Sequence, residues 1–333
     1  MCGAGSICYD FTHVALGEPG VLLLAGPLVQ EHCVRAFVKR FASRIRGFLT
    51  EPTLDAIRHL PPPPDAATQI QLQLAYRRLV EDRHPLPRVN DTGFKCYSQT
   101  DEDGILLFLF SVLGVSKKLC AEICAGDGIE CNSANLILNH GWHGLLVDGS
   151  KVRIDQGQKF YAQSPHTNIF PPRFALSWVT RQGVNELLTA NGFVGEIDLL
   201  SLDLDGVDYW IWDAIEAVTP RVVIVEYSDI LGPERCWTVP YADDFSAAAY
   251  PKTNGMPNFA GASLGAFVKL GKRKGYRLVG VNRYGFNAFF VKNGLGDTLI
   301  PEIDARDCFS HPKVIWGMRE RFPTVKDLPW VEV

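Results

Sequence analysis

The chain has 333 residues, 47% of them apolar and 21% charged, with a formal net charge of −4. That length allows one large domain or two ordinary ones, and the apolar content excludes a mainly disordered chain. The small negative charge offers no global attraction for nucleic acid or an anionic membrane.

The longest nearly unbroken apolar run, 21–29, is too short to span a bilayer and is interrupted by Gly26-Pro27. No basic n-region precedes it, so the chain reads as cytoplasmic. Nine cysteines, an odd number without a CxxC pair, read as reduced thiols, several of them buried.

In chain order, Val34, Phe37, Val38, Phe41, Ile45 and Phe48 follow a 3.6-residue period and predict a helix. The run of prolines at 61–64 cannot lie inside a helix. A second helix is expected over 66–82, closed by Pro85 and Pro87. Residues 1–93, net +1, form a helical N-terminal extension suited to a lid or a homodimer contact, whereas 94–333 carry net −5. From 94 onward, strands are expected near 119–124, 143–147, 174–178, 198–204, 221–226, 276–281 and 287–292. Helices are expected near 101–113, 132–140, 180–190, 207–216 and 262–274. Short strands alternating with helices predict an α/β fold with a mainly parallel sheet. Only RYGF, 283–286, separates the last two strands, so they form an antiparallel hairpin. Five parallel strands and a terminal hairpin match the layout of a class I, Rossmann-like methyltransferase sheet.

The densest chemistry lies at 118–150. A strand ends at Glu122, a loop follows with Gly126 and Gly128, and a helix starts near Asn132 or Ser133, either of which can cap it. The next strand ends at Asp148, 20 residues beyond Gly128. In a Rossmann-type unit an acid there accepts hydrogen bonds from ribose hydroxyls. The loop reads C-x-G-x-G, with Cys124 where a first glycine would stand. A nucleoside site and an ordinary βαβ turn both remain open on these residues alone.

EICAGDG, 122–128, resembles the E/D-x-G-x-G-x-G motif of S-adenosylmethionine (SAM)-dependent methyltransferases. Together with YSQTDEDGIL (97–106), EICAGDGIECNSANL (122–136), LLSLDLDGVDYWIW (199–212) and GFNAFFV (285–291), the sequence resembles the FkbM-like methyltransferases, in particular a bacterial subgroup associated with surface polysaccharides. The resemblance covers about 94–333. It implies that Glu122, Gly126, Asp127 and Gly128 surround the methionine and ribose of the cofactor, and that Asp148 holds the ribose hydroxyls. Ser98, Gln99 and Asp103 would close the methionine side. Cys124 departs from the family pattern and adds bulk at the loop.

Asp203 and Asp205 end the fourth strand, two apart and so on one face of a regular strand. They suit contact with the methionine ammonium, general-base work or metal ligation. The fifth strand delivers Glu226, with Asp229 three residues later. Acids after two neighbouring strands suit Mg²⁺, here Asp203 and Glu226, with strand-end capping as the plainer role. Asp205 and Glu226 are the candidate catalytic bases, with His166 in a loop as a third. The long segment between Glu226 and 262 suits an acceptor lid, its surface supplied by Trp237, Tyr241, Tyr250 and Phe259, and packing of the segment on its own domain is the equal alternative.

These features predict SAM-dependent O-methylation of a hydroxyl on a saccharide or another biosynthetic small molecule, without nucleic acid or a membrane span. An enzyme that cyclises, cleaves or transfers the methionine portion of SAM, and a non-catalytic SAM-binding module, are the alternatives. Basic residues at 269–277 are expected to cap a helix, and His140 and His143 to serve the structure.

Overall fold

The computed structural model describes residues 63–333. The helix expected at 34–48 lies outside the described residues. Asp65 caps helix α1 (Ala66–Glu81) by accepting the Thr68 N–H. Helix α2 (Glu102–Leu113) presents Phe108 to the edge of the Tyr76 ring of α1, with centroids 5.0 Å apart.

The strands are β1 (Leu119–Ile123), β2 (His143–Asp148), β3 (Arg173–Leu176), β4 (Gly195–Leu202), β5 (Val218–Glu226), β6 (Tyr276–Val281) and β7 (Asn287–Lys292). They form one sheet of order β3-β2-β1-β4-β5-β7-β6. Strands β1 to β5 pair in parallel, and β7 runs antiparallel to both β5 and β6. This is the class I methyltransferase layout expected from the sequence.

Helices α3 (Ala134–His140), α4 (Lys151–Gln163), α5 (Val184–Ala190), α6 (Asp208–Ala214) and α7 (Leu264–Lys274) complete the layers. Successive residues of β5 and β7 serve opposite cores, as the pleat requires. Val223, Val225 and Phe290 pack with Trp212 and Phe267 on one face. Val222, Ile224 and Phe289 pack with Phe108 and Ile137 on the other. Gly275 ends α7 in the left-handed region, and Arg273 and Lys274 bond to Asp213 and to the carbonyls of Asp213 and Ile215. His140 Nε2 pairs with Gln69 Oε1, and the His143 ring stacks on Phe193. These residues serve the structure, as expected.

Helix α4 was not foreseen. Its buried stripe is Ile154, Gly157 and Tyr161, so the middle of its apolar face carries no side chain. Gly157 is required there because a Cβ would collide with the Asp127 carbonyl and the Phe174 ring. The fourth strand stops at Leu202, so Asp203 and Asp205 lie in the following loop and not on one face of a strand. The cause is Asp208, whose carboxylate accepts the N–H groups of Leu204 and Gly206 at 2.7 and 3.1 Å and folds the chain there. Asp205 takes φ +54 in consequence. Among the described residues no helix is long and apolar enough to cross a membrane.

Candidate active site

The carboxyl ends of β1, β2, β4 and β5 open into one cavity of about 880 Å³, where open α/β sheets bind ligands. Its floor begins with the loop after β1. Glu122 caps α3: Oε1 accepts the Asn132 N–H at 2.9 Å, and Oε2 accepts the Ser133 N–H at 2.8 Å and the Ser133 hydroxyl at 2.6 Å. Asp148 accepts the Gly126 N–H at 3.0 Å and the Ser150 N–H at 2.7 Å, which ties the β1 loop to the end of β2. Cys124, Gly126 and Gly128 all take positive φ. A Cβ at Gly126 would meet only Arg153, whereas one at Gly128 would meet Leu146 Cδ1 at 2.6 Å. Gly126 therefore fronts open space and Gly128 packs the loop against β2. Cys124 holds the left-handed conformation with its side chain on the cavity. Desolvation in the cleft and then Asp208, Asp148, Asp203 and Asp205 push its thiol up, away from nucleophilic character.

Across the cavity stand Asp203, Asp205 and Glu226, each with a carboxylate oxygen within 4.8 Å of the others. Burial, then Asp208 and Asp205, push the Asp203 carboxyl up to about 7. Burial, then Asp203, hold Glu226 well above the ordinary carboxylate range, and desolvation in the cleft also raises the more exposed Asp205 despite Arg153 and Lys252.

The sequence candidates thus divide. Gln99, Glu122, Gly126, Asp148, Asp203, Asp205 and Glu226 line the cavity. Ser98, Asp103, Asp127 and Gly128 stand behind it. Asp103 Oδ2 accepts the N–H groups of Cys96, Tyr97 and Ser98 and the Ser98 hydroxyl, at 2.6 to 3.0 Å, and so shapes the loop that carries Gln99. Asp127 accepts the Ile129 N–H at 2.9 Å and closes the glycine turn. His166 is exposed and not on the cavity wall. Its loop leads away from the carboxyl ends of the strands, which removes the geometric basis for a role as base.

The segment after β5 does cover the cavity, through Ala242, Asp243, Phe245, Ser246, Ala247, Ala248, Lys252 and Pro257. Trp237, Tyr241, Tyr250 and Phe259 instead pack against the core; Phe259 is wholly buried, 4.4 Å from the Trp330 ring. Phe245 is the aromatic that faces inward, resting where Gly206 lacks a Cβ. Trp178, 66% exposed, reaches the same wall and donates to the Asp243 carbonyl at 2.5 Å. Sequence reasoning also missed Asn132, Arg153 and Asn287 on the wall. An amide at the head of the apolar strand NAFFV was the one available signal for Asn287.

The fold is that of a class I methyltransferase. No family model matches the sequence, and no curated protein does. Among solved structures, the chain is similar to magnesium protoporphyrin IX methyltransferase from Synechocystis PCC 6803 with bound SAM, at 11% identity over 58% of this chain and 78% of that one, TM-score 0.36. It is similar to TnmH at 15% identity over 81% and 71%, TM-score 0.35. The glycopeptide N-methyltransferase MtfA complexed with sinefungin matches at 12% identity over 56% and 84%, TM-score 0.34. Likeness this distant bears no functional argument, and the fold is read from the strand order itself.

Proposed function

We propose that the chain is a SAM-dependent methyltransferase that methylates a hydroxyl on a saccharide or another biosynthetic small molecule. The observation that carries this reading is the single cavity in which the Gly126 loop and Asp148 face the carboxylates of Asp203, Asp205 and Glu226. Its volume suits a nucleoside cofactor with a small acceptor beside it. The four motifs that resemble FkbM-like methyltransferases support a saccharide acceptor.

The residues fit SAM. Gly126 leaves open space for close approach, and Asp148 keeps lone pairs for two ribose hydroxyls beyond the two N–H groups it already accepts. Gln99 and Asn132 offer polar groups on the methionine side. SAM, when bound, supplies a sulfonium-activated methyl group. The protein's task is then alignment and proton removal. Alignment contributes several kcal/mol. Asp205 or Glu226 takes the hydroxyl proton, a role that contributes about 10²–10⁴-fold in rate. Asp203 and Glu226 are also the carboxylates placed to hold a divalent metal, as hard oxygen donors suited to Mg²⁺.

Product analysis tests the reaction. Incubation of the full chain with SAM and a panel of saccharide acceptors is expected to give S-adenosylhomocysteine and a methyl ether. Methylthioadenosine without S-adenosylhomocysteine would overturn methyl transfer in favour of chemistry on the methionine portion.

A further inference from the structure

The hairpin of β6 and β7 brings one more group to the acid cluster. Asn287 opens β7, stands opposite Glu226 in the antiparallel register, is 2% exposed and lines the cavity. Cross-strand partners of this kind are side-chain neighbours. Its amide is not free to turn. Nδ2 donates to Glu102 Oε1 at 2.9 Å. That same oxygen accepts Asn282 Nδ2 and the Thr100 hydroxyl, each at 2.8 Å, and Oε2 accepts the Thr100 N–H. An ionised carboxylate only accepts, so a flipped amide would set oxygen against oxygen inside a buried network. Glu102 therefore fixes Oδ1 on the side away from itself. That oxygen is buried and has no hydrogen-bond partner among the described residues. A buried acceptor without a donor is costly unless a cation or a proton satisfies it.

No Lys or Arg forms an ion pair with Asp203, Asp205 or Glu226 among the described residues. Three carboxylates gather within 4.8 Å, and the unpartnered amide carbonyl belongs to the residue paired with one of them across the strands. We propose that Asp203, Asp205, Glu226 and Asn287 Oδ1 form a binding site for a hard divalent cation, Mg²⁺ or Mn²⁺. Oxygens on an octahedral Mg²⁺ stand about 4.2 Å apart when opposite and about 3 Å apart when adjacent, so carboxylates within 4.8 Å of one another need to draw in by at most about 2 Å. Four protein oxygens would leave about two positions of a six-coordinate ion for water or a substrate hydroxyl. Occupancy stands on these residues alone; the use of the ion to seat the acceptor hydroxyl rests on the methyltransferase reading.

The test is titration of the full chain with Mn²⁺ alone, without SAM, followed by electron paramagnetic resonance. One Mn²⁺ per chain is expected, displaced by excess Mg²⁺. Asp205→Asn, in the exposed loop, is expected to weaken Mn²⁺ at least tenfold, and Asn287→Ala about tenfold. Melting curves and SAM calorimetry on the same samples report folding. Absence of Mn²⁺ binding, or Mn²⁺ affinity unchanged in Asp205→Asn, overturns the site. Unchanged affinity in a folded Asn287→Ala overturns the role of Oδ1 and leaves it to a proton shared within the acid cluster. If Asn287→Ala does not fold, Glu102→Gln, which loosens the amide, must weaken Mn²⁺ several-fold for that role to stand. SAM binding without Mn²⁺ binding would remove the cation site and leave the methyltransferase reading. Mn²⁺ binding without SAM binding would do the reverse.

Discussion

The two walls of the cavity use carboxylates in opposite ways. On the β1–β2 wall, Glu122 and Asp148 spend their oxygens on backbone N–H groups and hold the glycine loop in shape. On the β4–β5 wall, Asp203, Asp205 and Glu226 crowd together without a cationic ion-pair partner among the described residues, and their carboxyls are raised. The first wall is built to be complete before any ligand arrives. The second is costly as it stands, and it is the wall to which the proposed chemistry is assigned. Carboxylate count alone would not separate them; what each oxygen accepts does.

The comparison breaks most sharply at Glu226. Glu226→Gln is expected to lower methyl transfer by about 10²–10⁴-fold, with SAM affinity changed less than threefold by calorimetry. An equal loss in both would merge the two walls into one function. Next is the loop wall. Gly157→Ala forces α4 off the Asp127 carbonyl and is expected to cost about 2–4 kcal/mol in denaturant unfolding. Stability within 0.5 kcal/mol of wild type, roughly the range of neutral surface changes, would show that α4 does not clamp the loop.

A third effect depends on pH. Burial pushes the Asp103 carboxyl up to about 6 even though Oδ2 accepts three backbone N–H groups. A raised folded-state pKa means that its contribution to stability is full below the unfolded value near 4 and is lost as pH rises through about 6. Relative to Asp103→Asn, wild type should therefore lose on the order of 3 kcal/mol between pH 4 and pH 7. A difference between the two proteins that does not change with pH would refute the assignment. The smallest effect is at His166. His166→Ala should leave turnover within twofold, and a tenfold loss would return that loop to the site.

Much of this was legible beforehand because the pattern of short apolar runs is a burial signal. The seven sheet strands fall where alternation and β-branched runs place them, with ends displaced by up to three residues. Helix α4 escaped because its buried stripe passes through Gly157, so periodicity had nothing to register. The acids at 203 and 205 were legible as a cluster but not as a turn, since the turn depends on Asp208 reaching back to two N–H groups. For the aromatics of the segment after β5, length and position leave a lid and packing on the same domain equally open. Packing decides between them, burying Phe259 and turning Phe245 inward. Asn287 was legible only as an amide at the head of a strand: which way that amide faces is set by Glu102, 185 positions away in the chain.

The most direct test of the central claim is calorimetric titration of the full chain with SAM, for wild type and for Asp148→Ala combined with Gly126→Val. The account predicts one SAM bound per wild-type chain and affinity at least tenfold weaker in the double variant. No binding by wild type, or equal binding by both proteins, would contradict it.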